Sequence, residues 1–256
     1  MTAAPESHPG PIRLVSFIIP AWNEEALLGA TLDALLKAAK TLAVPYEIIV
    51  ADDGSTDKTA EIGRAKGASV VAVSRRQIAA TRNAGACAAT GDGLIFVDAD
   101  TLVTPEAVRA ALSALQAGAV GGGCTIQFEG RVPPYARVLL PVFSRLYRAA
   151  GLAAGCFVFC RRDAFAAIGG FDETLFASEE CALSWALRRH GRFVVLREHV
   201  VTSARKLRTY SGWEILVALW RLTRRGPRSL RDRHDKDIWY GPRRPDPDLP
   251  TKPLAS

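Results

Sequence analysis

The stretch GDGLIFVDADTLVTP, Gly91 to Pro105, runs from an apolar segment into two carboxylates one residue apart, Asp98 and Asp100. The apolar run reads as a buried strand. Beyond it, TPEAVRAALSALQAG reads as a helix with Thr104 as N-cap and Pro105 at the first helical position. Working outward, the same unit recurs upstream. RLVSFIIP (Arg13 to Pro20) precedes EEALLGATLDALLKAAKTL, where Leu28, Leu32, Leu35, Leu36 and Leu42 share one helical face. YEIIVADD precedes STDKTAEIGRAKG, with Ser55, Thr56 and Asp57 as capping candidates and Gly67 as the stop. SVVAV precedes QIAATRNAGACAATG. Four strand and helix units in succession predict an α/β fold: a mostly parallel sheet with helices on both faces.

At 256 residues and 48% hydrophobic, the chain is long enough for one large domain with a sizeable core. The net charge of +7 favours anionic partners, whether phosphorylated small molecules, nucleic acid or an acidic membrane surface. The five cysteines, Cys87, Cys124, Cys156, Cys160 and Cys181, read as buried thiols of a reducing compartment, with Cys156 and Cys160 on the same face if their segment is a strand. No apolar run reaches the roughly 18 residues that span a bilayer, and the start MTAAPESHPGP lacks a signal-peptide core. The expectation is a cytoplasmic chain, with contact at the inner face of a membrane as one reading of its basic C-terminal part.

In open α/β sheets ligands bind beyond the carboxyl ends of the strands. The residues there are polar: Asn23 and Glu24, Asp52 and Asp53, Arg75 and Arg76, Asp98 and Asp100. Two carboxylates at one strand end would repel unless a cation relieves them, and Mg²⁺ is commonly held by one or two carboxylates plus substrate phosphates. A single D-x-D pair also fits a strand end that merely caps a helix.

The company of that pair narrows the reading. VSFIIPAWNEE, EIIVADDGSTDKTAEI, ATRNAGACAATGDGLIFVDADT, GCFVFCRRDAFAAIGGFDE and SEECALSWALRRHG occur in that order, and together they resemble the inverting family 2 glycosyltransferases of GT-A fold, over about Val15 to Ser203. The resemblance implies a nucleotide-diphosphate sugar as donor, with a UDP-sugar favoured, Mg²⁺ or Mn²⁺ as cofactor, and no nucleic-acid partner. It implies that Pro20, Ala21, Asn23 and Glu24 line the nucleotide and that Asp53 or Asp52 accepts a hydrogen bond from the base. Arg82, with Arg75, would approach the diphosphate, and a solvated loop charge is the other reading of Arg75. Asp98 would contact ribose or metal, Asp100 the metal, and Gly155 would leave room for the donor sugar. The family carries Glu-Asp where this chain has Glu179 and Glu180, so Glu180 takes the general-base position on a side chain one methylene longer. Alternatively the two only favour a helix N-terminus. His199 is a candidate third metal ligand or a structural histidine. The acceptor, a small molecule, a saccharide or a lipid-linked species, stays open.

From Arg205 to Arg233 nine Lys and Arg stand against two acids. WEILVALWRLTRR reads either as an interfacial helix on anionic lipid or as a helix closing the donor site, and YARVLLPVFSRLYRAAG shares that ambiguity, with a kink expected at Pro141. The expected organisation is a disordered N-terminus (1–12), a glycosyltransferase domain (13–203) with a nucleotide-sugar half (13–118) and an acceptor half (119–203), a basic helical segment (204–240) and a disordered tail (241–256). Competing readings are a retaining transferase, a nucleotidyltransferase, and a non-catalytic peripheral membrane or nucleic-acid binding protein.

Overall fold

The computed structural model describes residues 10–130, 132–211, 213–214, 217, 230–232, 240–241 and 246. The first half is the expected alternation: β1 (Val15–Ala21), α1 (Leu28–Ala39), β2 (Tyr46–Asp52), α2 (Thr59–Ala65), β3 (Ser69–Ala72), α3 (Ile78–Ala88), β4 (Gly93–Val97). A two-residue strand β5 (Thr101–Leu102) and α4 (Pro105–Gln116) follow. The second half comprises β6 (Gly121–Glu129), α5 (Pro134–Ala149), β7 (Phe157–Arg161), α6 (Arg162–Ala167), α7 (Glu179–His190), β8 (Phe193–Ser203) and α8 (Arg205–Thr209). Thr104 caps α4 by accepting from the Ala107 N–H, with Pro105 behind it, as its sequence predicts. Asp57, one of the three capping candidates ahead of α2, accepts from the Thr59 N–H.

All eight strands form one sheet in the order β3-β2-β1-β4-β7-β6-β8-β5. The run β3-β2-β1-β4 is parallel, so the carboxyl ends of four strands open on one side. The second half departs from the parallel expectation: β7 runs antiparallel to both β4 and β6, whereas β6 and β8 are parallel. The result is a mixed α/β sheet.

Alternate residues of the buried strands face opposite layers, because successive side chains leave a strand on opposite sides. Phe17, Ile19, Ile95 and Val97 pack with Leu28, Leu32 and Leu35 of α1 and Val108 and Leu115 of α4. Ile18, Leu94 and Phe96 pack on the other face with Ala79 of α3, Phe165, Phe171 and Leu183. Two cysteine expectations are corrected here. Cys87 is exposed near the end of α3. Cys156 lies in the first core layer and Cys160 in the second, since β7 begins only at Phe157 and the alternation does not extend back to Cys156.

Close approaches demand glycine at several places, two of which show how the layers meet. A Cβ on Gly85 would sit 2.5 Å from Ile18 Cγ2, so α3 rests directly on β1. A Cβ on Gly122 would lie 2.1 Å from the Val194 carbonyl and 2.4 Å from the Phe159 ring. The first neighbour is backbone and cannot swing away. Gly122→Ala is therefore expected to cost about 3 kcal/mol, the upper part of the range for overpacked cores, read as a lower midpoint in urea. Gly10→Ala, with nothing within 4 Å of the added methyl, is expected to leave the midpoint unchanged.

Candidate active site

The loops at the carboxyl ends of β1, β2 and β3 are tied to one another by side chains. Asn23, at φ 50°, accepts the Thr56 N–H on its side-chain oxygen at 2.9 Å, while its own N–H donates to the Ser55 hydroxyl. Asp53 organises the turn into α3. One carboxylate oxygen accepts the N–H groups of Arg75 and Arg76 at 2.7 and 2.9 Å; the other accepts the Gln77 N–H and the Thr81 hydroxyl at 3.0 and 2.8 Å. Around it a small cavity of about 80 Å³ is lined by Pro20, Ala21, Trp22, Asp53, Arg76, Gln77, Ile78, Thr81 and Tyr240. Arg76 stacks 3.3 Å above the Trp22 ring centre, a cation–π contact. Pro20, Ala21 and Asp53 thus face this cavity together. Arg75 does not: it is exposed and contributes only its backbone N–H, while Arg76 supplies the guanidinium. Asp52, the neighbour offered as an alternative to Asp53, is buried with one carboxylate oxygen lacking a partner among the described residues.

Each carboxylate of the D-x-D pair meets a buried guanidinium. Arg82 is 1% exposed; it donates to Glu179 and Asp98, each at 2.8 Å, and to the Gly155 carbonyl at 2.9 Å. The sequence expectation aimed Arg82 at a diphosphate. In the fold both of its terminal nitrogens have protein partners, so it joins α3, the end of β4 and the start of α7. Burial works against its charge, but Asp98, Glu179 and Glu180 outweigh burial and push its pKa up. On the other side Arg205 forms a two-pronged pair with Glu24 at 2.9 and 2.8 Å and stands 3.5 Å from Asp100. Glu24, expected to line the nucleotide, is instead 4% exposed and holds Arg205.

Helix α7 starts after Ser178, a left-handed residue at φ 60°. Its first residue, Glu179, is buried against Arg82; its second, Glu180, turns into a cavity of about 440 Å³ bounded by β6, α5 and Gly155. Among the described residues no guanidinium pairs with Glu180. Burial and the adjacent Glu179 push its pKa up to about 8, with Arg82 only partly offsetting them. A Cβ on Gly155 would stand at ordinary contact distance, 3.4 Å, from both Glu180 and Arg82, so Gly155 lies directly against both side chains.

His199 does not join the pair. Among the described residues no three His, Cys, Asp or Glu side chains gather as a metal cluster, and the His199 carbonyl accepts the Thr104 hydroxyl at 3.1 Å. The basic helix lies largely outside the described residues; within it Trp213 is 74% exposed. The tail read as disordered contains Asp246, which is buried and paired with Arg208 at 2.5 Å. Tyr240 packs edge-on against Phe176 at 5.7 Å. Residues the sequence reading missed are Arg205, Trp22, Gln77 and Tyr240; only Arg205, the first charge after the last core strand, carried a signal.

The sequence profile described as glycosyl transferase family 2 matches residues 16–169. The chain belongs to that family. It is 38% identical over 105 residues to an undecaprenyl-phosphate 4-deoxy-4-formamido-L-arabinose transferase of Serratia proteamaculans, covering 38% of this chain and 32% of that one. It is 33% identical over 131 residues to a validoxylamine A glucosyltransferase of Streptomyces hygroscopicus, covering 48% of this chain and 29% of the other. The chain thus spans about a third of the length of these curated relatives. Among solved structures, a mannosyltransferase of Pyrobaculum calidifontis in complex with GDP-Man and Mn²⁺ aligns at TM-score 0.63 and 22% identity, over 82% of this chain and 61% of that one. Glucosyl-3-phosphoglycerate synthase of Mycobacterium tuberculosis in complex with Mn²⁺ and UDP-glucose aligns at 0.59 and 21%, over 86% and 79%. These likenesses show the GT-A fold.

Glu180 gives the site a stability signature. Its carboxyl is held above its ordinary value of 4.5, so between about pH 4.5 and 8 the folded protein carries a proton that the unfolded chain has released. That contribution is complete below pH 4.5 and disappears as pH rises through 8. Thermal melts are expected to show Glu180→Gln gaining on the parent protein across this window and exceeding it at pH 8.5. Parallel curves would remove the raised carboxyl from the site.

Proposed function

We propose that the chain transfers a sugar from a nucleoside-diphosphate donor, most naturally a UDP-sugar, to an acceptor hydroxyl with inversion at the anomeric carbon. The observation that carries this reading is the meeting of Asp98, Glu179 and Gly155 at the Arg82 guanidinium, which sets the base Glu180 beside the D-x-D carboxylates. The edge of the base would enter the small cavity, whose lining includes Trp22, Asp53, Thr81 and Tyr240, with the rest of the nucleoside outside it. Its diphosphate would extend toward Asp98 and Asp100.

The donor set at that point suits a hard cation. Asp98 and Asp100 offer carboxylate oxygens, and with no third protein carboxylate or imidazole clustered there among the described residues, the phosphates would complete the coordination. Mg²⁺ or Mn²⁺ bound there would act as a Lewis acid for the departing diphosphate. Arg82 and Arg205 keep the two carboxylates oriented. On the opposite side Glu180 takes the acceptor proton, a contribution typically of about 10²- to 10⁴-fold. The named activities of relatives and neighbours, a glucosyltransferase and a mannosyltransferase among them, agree with this chemistry. No helix among the described residues is long and apolar enough to cross a membrane.

Thermal shift with UDP, GDP, ADP, CDP and dTDP, each with and without Mn²⁺, tests the donor side. One diphosphate is expected to stabilise the protein in a metal-dependent way, by about 2.7 kcal/mol at about 100 times its Kd, and Asp100→Ala to abolish the shift. Absence of any shift across the five nucleotides would defeat the reading.

The catalytic side has its own test. With the donor so identified, Glu180→Gln is expected to lower kcat by about 10²- to 10⁴-fold with the nucleotide-induced shift retained. Unchanged turnover would remove Glu180 as the base.

A further inference from the structure

The cavity of about 440 Å³ beside Glu180 is in the size range that holds drug-sized ligands, about 300–1,000 Å³. Its walls are mainly apolar: Ile126, Phe128, Leu140, Leu152 and Val195. The polar groups on those walls are mostly committed to the protein. The Thr125 hydroxyl donates to the Glu198 carbonyl at 2.8 Å, and the Tyr147 hydroxyl pairs with Cys181 Sγ at 3.3 Å. Among the described lining residues two polar side chains remain, Glu180 and the exposed Arg148.

We infer that the acceptor is a neutral alcohol with an apolar body, lying in this cavity with its hydroxyl at Glu180. The inference rests on the transferase reading above and names the substrate class of its acceptor side. A saccharide fits poorly, because each buried hydroxyl left without a partner costs about 1–3 kcal/mol and the cavity offers too few partners for several. A phosphate acceptor fits poorly as well. It arrives without a hydroxyl proton for Glu180 to remove, and the guanidinium on this lining, that of Arg148, is exposed. An alcohol satisfies both conditions. Its O–H donates to Glu180, and its chain replaces water along the apolar walls. In the transfer the alcohol oxygen bonds to the anomeric carbon, the bond from that carbon to the phosphate oxygen breaks, the electron pair leaves with the nucleoside diphosphate, and the proton passes to Glu180.

Calorimetric titration of the full chain tests this with 1-octanol, octyl methyl ether, octyl phosphate and glucose as probes. Octanol is expected to bind at least tenfold more tightly than each of the other three. Leu140→Trp and Val195→Trp, which fill the cavity from α5 and from β8, are each expected to weaken octanol at least tenfold while preserving the nucleotide-induced thermal shift. The shift in each variant reports its folding, and in the parent protein it tests the donor reading separately. Glucose or octyl phosphate binding as tightly as octanol would overturn the inference. So would an ether equal to the alcohol, no measurable octanol binding, or octanol binding unchanged in both filled variants.

Discussion

A guanidinium that cannot lose its proton is buried at the centre of this fold, and the surrounding elements are arranged to keep it charged. Removing Arg82 from water costs several kcal/mol, which is recovered only if its donors meet well-placed acceptors. Those acceptors come from three separate places: Asp98 after β4, Glu179 at the start of α7, and the Gly155 carbonyl before β7. The parallel first half of the sheet and the mixed second half are therefore joined at one side chain. Gly85 lets α3, the helix that carries Arg82, lie directly on β1.

Arg205 repeats the logic at the other carboxylate. Glu24 follows the first strand and Arg205 follows the last core strand, 181 residues later, yet they form a buried two-pronged pair. The pair places a cation 3.5 Å from Asp100 and brings the chain beyond β8 back over the donor side. Described residues farther along continue that course. The Leu230 carbonyl accepts the Phe176 N–H, Tyr240 borders the small cavity, and Asp246 holds Arg208. Of the two sequence readings of the basic C-terminal part, contact with the domain is what these residues display; the helix itself falls mostly outside the described residues.

Period and punctuation made the parallel half legible. Leu28, Leu32 and Leu35 repeat at helical spacing, and Thr104-Pro105 marks a helix start by local chemistry, so neither needed the tertiary structure. The antiparallel strand β7 left no such mark, because a buried strand has the same apolar run whichever way it points. At the site, residue types were legible and partners were not. Asp98 and Asp100 identified themselves by position after a strand. That Arg82 faces Asp98 and Glu179, or that Glu24 belongs to Arg205, depends on contacts across 16, 97 and 181 residues, which no local pattern encodes.

The basicity of Glu180 follows from a shortage of cations. Three carboxylates, Asp98, Glu179 and Glu180, act on Arg82, but its two terminal nitrogens bond only the first two. Glu180, one residue further along α7, is left with burial and the repulsion of its neighbour, and its pKa rises to about 8. A second arginine there would lower that value and remove the proton affinity that distinguishes Glu180 from its neighbour. The apolar cavity acts in the same direction, because water admitted beside Glu180 would solvate its charged form. The pairing that secures the strand-end carboxylates and the deficit that activates Glu180 are thus two consequences of placing one buried arginine among three acids.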